Sequence, residues 1–322
     1  MGEITVSIIC NTYNHENYIR RALDGFVMQK TNFAFEVLIH DDASTDKTAE
    51  IIKEYEAKYP EIIKPIYQTE NQYSKGVKIS VTYHIPRIKG RYVAFCEGDD
   101  YWIDPLKLQK QYDAMELHPE VDMCAHSAVC VNAVSEKQVS VISPKSQSGI
   151  LTTEEVIMGE GGFIATNSLF YRTSLYDNQP LFRNVLSLDY TLQILGSLRG
   201  GILYLNEYMS AYRVLAPQSW TVRMRYDTEK RKIFCEKKRQ MLLQLDLDTD
   251  GKYSDTIACR MHENDFQELL DLNCCKALLK PEYRDVYRRR PVRERILIRI
   301  KAYLPFLVTL KRRLKGKKHR RG

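Results

Sequence analysis

Alternation between short β-branched runs and amphipathic stretches fills the first hundred residues, and it narrows the fold more than any other feature. Ile4-Thr5-Val6-Ser7-Ile8-Ile9-Cys10 predicts a buried strand. Tyr18, Ile19, Ala22, Leu23, Phe26 and Val27 recur at helical spacing within Asn14 to Gln29. Phe35 to His40 predicts a second strand, stopped by Asp41-Asp42. Ser44-Thr45-Asp46 is a helix cap in pattern, with a helix from Thr48 to Tyr59 that Pro60 ends. Ile62 to Tyr67 predicts a third strand, Lys75 to Lys89 a helix, and Arg91 to Cys96 a fourth strand. This rhythm predicts a parallel sheet covered by helices.

The middle is mixed. A helix is expected over Pro105 to Leu117, a strand over Asp122 to Ala133, and a polar loop over Ser135 to Ser148. Thr153 to Met158 predicts a short helix and Phe163 to Tyr171 a strand. Val185 to Leu198 predicts a helix with Asp189 near its start, and Gly201 to Val214 a long strand. From Gln218 onward the pattern is helical, with a turn at Asp246 to Gly251 and breaks at Pro281 and Pro291.

At 322 residues, 44% apolar and 28% charged, the chain can bury a sizeable core and is neither fibrous nor disordered. The longest uncharged apolar run near the C-terminus, Ala302 to Leu310, has nine residues, short of the roughly 20 that cross a bilayer. Met1 to Val6 lacks a basic leader pattern. The eight cysteines contain no C-x-x-C pair, so free thiols in a reducing cytoplasm are expected. Net charge is +7, unevenly spread: Arg284 to Gly322 holds 16 Lys/Arg against 2 Asp/Glu, which leaves the rest at −7. Such asymmetry points to an anionic partner for the tail.

Open α/β sheets bind ligands beyond the carboxyl ends of their strands. There stand Asn11-Thr12-Tyr13-Asn14, Asp41-Asp42 and Glu97-Gly98-Asp99-Asp100. No G-x-G-x-x-G follows the first strand and no P-loop occurs. Carboxylates stand where a phosphate-cradling fold would offer glycines. A divalent ion between carboxylate and diphosphate resolves that repulsion.

These three clusters, read as Thr5 to Asn14, Asp41-Asp42-Ala43-Ser44-Thr45-Asp46-Lys47-Thr48 and Gly90 to Asp100, resemble family 2 glycosyltransferases over roughly residues 4–215. These are inverting enzymes of the GT-A fold that use nucleotide-sugar donors. The resemblance implies an α/β fold with a mostly parallel sheet flanked by helices and a C-terminal helical extension. It implies that Tyr13 stacks on the donor base, with Thr12 and Asn14 lining that pocket. Asp42 would accept a ring N–H, which suits uracil. Asp41 would orient the loop or reach the ribose, and Lys75 the diphosphate. Asp100 would be the direct ligand of Mn2+ or Mg2+, with Asp99 on the ribose or a metal-bound water. Glu97, at the outer position of the acidic element, Arg213 and Trp102 would support the leaving group or acceptor. Asp189 would be the general base. Ala43 stands where relatives often carry Gly, and Leu215 where a basic or imidazole group often follows the last strand.

The expected organisation is a nucleotide-sugar-binding half (1–104), an acceptor half (105–217) and a helical extension (218–322). The expected activity is metal-dependent transfer of a sugar from a nucleotide-sugar, a UDP-sugar by preference, to a saccharide or lipid-linked acceptor in bacterial surface polysaccharide synthesis. A catalytically silent nucleotide-sugar binder or a membrane scaffold is the alternative. A sugar-nucleotide pyrophosphorylase would need a glycine-rich basic loop where Asn11 to Asn14 stands. Val292 to Leu314 interleaves apolar and basic residues, and eight more Lys/Arg lie between Lys311 and Arg321, the pattern of an interfacial helix with a polybasic end. Residues 292–322 are therefore expected at an anionic membrane surface, on the cytoplasmic face. Nucleic acid is not an expected partner, since few aromatics accompany the charge.

Overall fold

The four strands expected in the first hundred residues all form in the computed structural model, which describes residues 2–177, 179–186, 189–214 and 228–304. The chain divides into two compact units that part between Thr228 and Glu229.

The first unit is built on a sheet that, among the described residues, has ten strands. The strands β1 (Ile4–Thr12), β2 (Ala34–Asp41), β3 (Ile63–Tyr67) and β4 (Tyr92–Phe95) lie in the order β3-β2-β1-β4, all parallel. Helices α1 (Ile19–Val27) and α2 (Thr48–Lys58) form the first two crossovers. Val6, Ile8 and Cys10 of β1 pack with Ile19, Leu23 and Phe26 of α1 in one buried cluster. The order reverses at β1, which has β2 on one side and β4 on the other, and ligand crevices open at such a switch point.

Beyond β4 the sheet is mixed. After β5 (Tyr101–Trp102) and α3 (Lys107–Leu117) come β6 (Met123–Asn132), β7 (Gln138–Ile142), β8 (Gly149–Leu151) and α4 (Thr153–Gly159). β9 (Phe170–Arg172) runs antiparallel between β4 and β6. Short α5 (Phe182–Val185) and α6 (Asp189–Ser197) lead to β10 (Ile202–Val214), parallel to β6 and antiparallel to β5 and β8. α4 starts with a capping box in which Thr152 and Glu155 satisfy each other's backbone N–H.

Three local expectations are corrected. Lys75 to Lys89 is not one helix. It breaks into 3-10 turns at Tyr73–Lys75 and Ile85–Arg87 around a π turn at Ser80–His84. Left-handed Gly76 stops the first turn, and Pro86 cannot continue an α-helical ladder. The polar loop 135–148 contains strand β7, whose Gln-Val-Ser-Val-Ile alternation pairs with β6. The strand expected from Phe163 shortens to β9, because Thr166–Ser168 turns to deliver Asn167 into the interior.

The second unit holds the helix Thr228–Asp248 from Glu229 onward, and the helices Ser254–Asp271, Arg284–Arg289 and Val292–Tyr303. Its own core contains Phe266, Cys275, Leu278, Val286, Ile298 and Ala302.

Candidate active site

Main-chain hydrogen bonds tie the three predicted strand tips side by side. Asp42 N–H donates to Thr12 C=O at 3.0 Å, and Gly98 N–H donates to Asn11 C=O at 2.9 Å. Gly98 permits this approach, since a Cβ there would lie 2.8 Å from the Thr12 side chain. The tips of β1 and β2 are also clasped by Asn14, which sits at φ 55. Its N–H donates to Ser44 Oγ at 2.9 Å, and its Oδ1 accepts from Thr45 N–H at 2.8 Å. Asn14 thus shapes the tip from within. Tyr13 beside it is 42% exposed, an aromatic face open at the crevice rim.

The paired aspartates turn inward. Asp41 takes the Ser44 hydroxyl and, at 3.4 Å, the Ser44 N–H, closing a tight turn. Burial pushes its carboxyl up, and the Ser44 bonds oppose the shift. Asp42 accepts Gln72 N–H at 2.7 Å on one oxygen and Tyr73 N–H at 3.0 Å on the other. It therefore anchors the 72–73 loop against the crevice. Lys75 lies outside, in an exposed ion pair with Glu70. Thr12 is buried, its hydroxyl without a partner among the described residues.

The acidic tip after β4 separates into two kinds of carboxylate. Asp100 is 3% exposed. One oxygen accepts Arg213 N–H at 2.7 Å and the other accepts Asn167 Nδ2 at 3.1 Å. Burial, then the charge of Asp99, lifts it well above the usual carboxylate range. Glu97 and half-buried Asp99 have no side-chain partner among the described residues, and Glu97 is exposed. Yet burial among protein mass, followed by the charges of Asp99 and Asp189, pushes Glu97 well up. Asp99 and Asp189 thus lie near enough to Glu97 for their charges to act on it.

Asp189 opens α6 and is itself exposed, with Oδ2 accepting the Thr166 hydroxyl at 2.8 Å. Burial raises its carboxyl, opposed by Thr166 and by the Arg183 charge. That is the direction a carboxylate base needs near neutral pH.

Two residues expected at the leaving group or acceptor prove internal. Trp102 is 2% exposed, its Nε1 donating to Asn167 C=O at 3.0 Å and its ring edge-on to Phe26. It packs in the core. Arg213 has a fully buried side chain, ion-paired with Glu136 at 3.1 Å, packed over Tyr18 and Tyr101, and donating to Asp99 C=O. It braces the acidic tip from behind.

Two residues escaped the sequence reading. Burial, then the charges of Asp100, Glu97, Asp99 and Asp189, raise the Tyr212 phenol. Strand alternation along β10 sets Tyr212 and Arg213 on opposite faces, a signal available in the sequence. His15 lies within the field of Asp99, Asp46, Arg213 and Asp41, and burial lowers it. Its ring follows the β1 tip, and no spacing rule marked it.

Among the described residues no group of three or more His, Cys, Asp or Glu is arranged to hold a metal. Hard oxygen donors with spare valence do exist in Glu97 and Asp99, and a magnesium-type ion commonly takes one or two carboxylates plus substrate phosphates. The donor set fits an ion shared with a diphosphate.

Residues 7–177 match the family model described as Glycosyl transferase family 2. An uncharacterized protein of Mycobacterium tuberculosis strain H37Rv is 41% identical over 216 residues, 67% of this chain and 60% of that protein. The chain thus spans 60% of the length of this relative. The Escherichia coli UDP-Glc:alpha-D-GlcNAc-diphosphoundecaprenol beta-1,3-glucosyltransferase WfaP is 35% identical over 111 residues, 34% of this chain and 41% of that one. Among solved structures, S. aureus TarS 1-349 in complex with UDP-GlcNAc superposes with a TM-score of 0.61 at 19% identity, covering 92% of this chain and 87% of TarS. At that identity the likeness concerns the fold, a mixed α/β sheet flanked by helices.

Proposed function

The chain belongs to glycosyl transferase family 2, and from that premise we propose that it transfers a sugar from a UDP-sugar to a hydroxyl of a saccharide or lipid-linked acceptor, with inversion at the anomeric carbon. The observation that carries this reading is the tying of the β1, β2 and β4 tips by main-chain hydrogen bonds at the switch point of the sheet, with the Asp99 and Glu97 side chains unpaired among the described residues. Two comparisons favour the uridine donor: WfaP is named for UDP-Glc, and TarS was solved with UDP-GlcNAc. WfaP is also named for a diphosphoundecaprenol-linked acceptor, which supports a lipid-linked substrate, surface polysaccharide synthesis and work at the inner membrane face.

In this mechanism Tyr13 stacks on the base at the rim. Asp42 acts by holding the 72–73 loop, and Asn14 by clasping the tips. Glu97 and Asp99, rather than Asp100, face the diphosphate and would hold Mn2+ or Mg2+. When bound, such an ion offsets the negative charge of the leaving nucleoside diphosphate. Asp189 takes the acceptor's hydroxyl proton as the oxygen bonds to the anomeric carbon. The carbon–oxygen bond to the diphosphate breaks, and its electron pair leaves with that group. A placed base of this kind contributes on the order of 10²–10⁴-fold.

A thermal-shift panel tests the donor. UDP, GDP, CDP and dTDP are each added with and without Mn2+. Saturation at about 100 Kd stabilises a folded protein by about 2.7 kcal/mol. UDP with Mn2+ is expected to give the largest rise in Tm. No rise with any nucleotide removes the donor reading.

A further inference from the structure

The helix Val292–Tyr303 has two apolar faces, and one of them is exposed among the described residues. Ile298 and Ala302, one turn apart, are buried in the core of the second unit. On the opposite side Val292, Ile296 and Tyr303 are 59%, 53% and 69% exposed, with Ile300 completing the i, i+4, i+8, i+11 row. Leu297 and Leu304 widen the row, at 46% and 42% exposed. A single surface leucine needs no explanation, but five apolar side chains on one short helix and a sixth at its C-cap form a contiguous stripe. At about 1.5 Å per residue the helix is about 18 Å long, too short to span a bilayer and suited to lie along one. No helix among the described residues is long and apolar enough to cross a membrane.

The rim of the stripe is basic. Arg293, Arg295, Arg299 and Lys301 share the helix with a single acid, Glu294. Glu294 faces Arg290 across one turn, and Lys301 reaches back to Asn273 at 3.0 Å. Arg293 is exposed and has no ion pair among the described residues. The helix before it, Arg284–Arg289, ends in Arg288-Arg289 with Arg290 at its cap, and Arg289 pairs with Glu263 and Asp285. By sequence, eight more Lys/Arg follow between Lys311 and Arg321, outside the described residues.

We propose that this face is the docking surface for an anionic phospholipid bilayer, with Val292, Ile296, Ile300 and Tyr303 entering the acyl boundary and the flanking arginines meeting lipid phosphates. Charge decides among occupants. A second copy of this helix would bring two basic rims together and repel. Nucleic acid would meet the arginines but leave the stripe in water. An anionic bilayer satisfies both at once. The proposal does not rest on the transfer reading, and its test uses neither donor nor acceptor.

Full-length chain is sedimented with vesicles of phosphatidylcholine alone and with roughly one-quarter phosphatidylglycerol. Wild type is expected to pellet with the anionic vesicles only, and less so as salt rises. Ile296→Glu with Tyr303→Glu, both on the exposed face, is expected to lower apparent vesicle affinity at least about tenfold. Melting of the variant should match wild type, and Ile296→Gln, which adds no charge, should give an intermediate loss. Wild type left in the supernatant overturns the proposal. So does a double variant that pellets as well as wild type. A wild-type dimer that ignores vesicles and becomes monomeric in the double variant would assign the face to a second copy and overturn it too.

Discussion

The main-chain N–H of Arg213 donates to Oδ1 of Asp100 at 2.7 Å, joining the end of β10 to the acidic tip that follows β4. Asn167 takes the other Asp100 oxygen. Asp100 is thereby a fastener between the two halves of the sheet, and Asp99 is the carboxylate left facing outward.

That division separates two alanine variants. Asp100→Ala leaves Arg213 N–H without its side-chain acceptor and Asn167 Nδ2 with Ala211 C=O alone, and a buried donor that loses its acceptor costs about 1–3 kcal/mol. Its melting temperature should fall sharply. Asp99→Ala should melt close to wild type and lose the Mn2+-dependent part of nucleotide stabilisation. A stable Asp100→Ala that alone loses the Mn2+ response would return the ligand role to Asp100.

Asp189→Asn should keep UDP binding and lose on the order of 10²–10⁴ in kcat. Burial lifts the Asp189 carboxyl above its ordinary value. A base works only when deprotonated, so kcat/KM should fall as pH drops through that raised pKa. The falling limb should lie above the ordinary aspartate value of about 4. A rate that stays flat down to that pH would take the base role from Asp189.

Ala43 holds φ 61, in the left-handed region that glycine enters without strain. Ala43→Gly relieves that strain at some cost in unfolded-chain entropy. The net expectation is a gain of roughly 0.5–1 kcal/mol, read from urea denaturation with an unchanged m-value. Loss of stability would mean that the Ala43 methyl makes packing contacts worth more than the strain.

Much of the first unit was legible because its signals are local. β1, β2, β3 and β4 announce themselves by β-branched runs, and the acids at their ends follow from chain order. The segment from Lys75 to Lys89 misled because its fate depends on partners elsewhere. His84 lies buried, its Nε2 2.9 Å from Asn11 Oδ1, and burial brings its pKa down to about 3. That contact helps impose a π turn where the sequence pattern suggested an α-helix. Strand β7 was missed because its Val139 and Val141 are exposed and show no core-facing signal.

By itself the sequence determined the alternating α/β class, the family motif set and the basic C-terminal segment, since each depends on neighbours along the chain. Which acids are free and which are fasteners was decided only in three dimensions. Asp41, Asp42, Asp99 and Asp100 are chemically alike on paper. The hydrogen bonds that consume Asp42 and Asp100 come from residues about 30 and more than 60 positions away. The same holds for Trp102 and Arg213, whose burial follows from which strands β5 and β10 pair with. Availability of a side chain depends on long-range packing, and no local pattern encodes it.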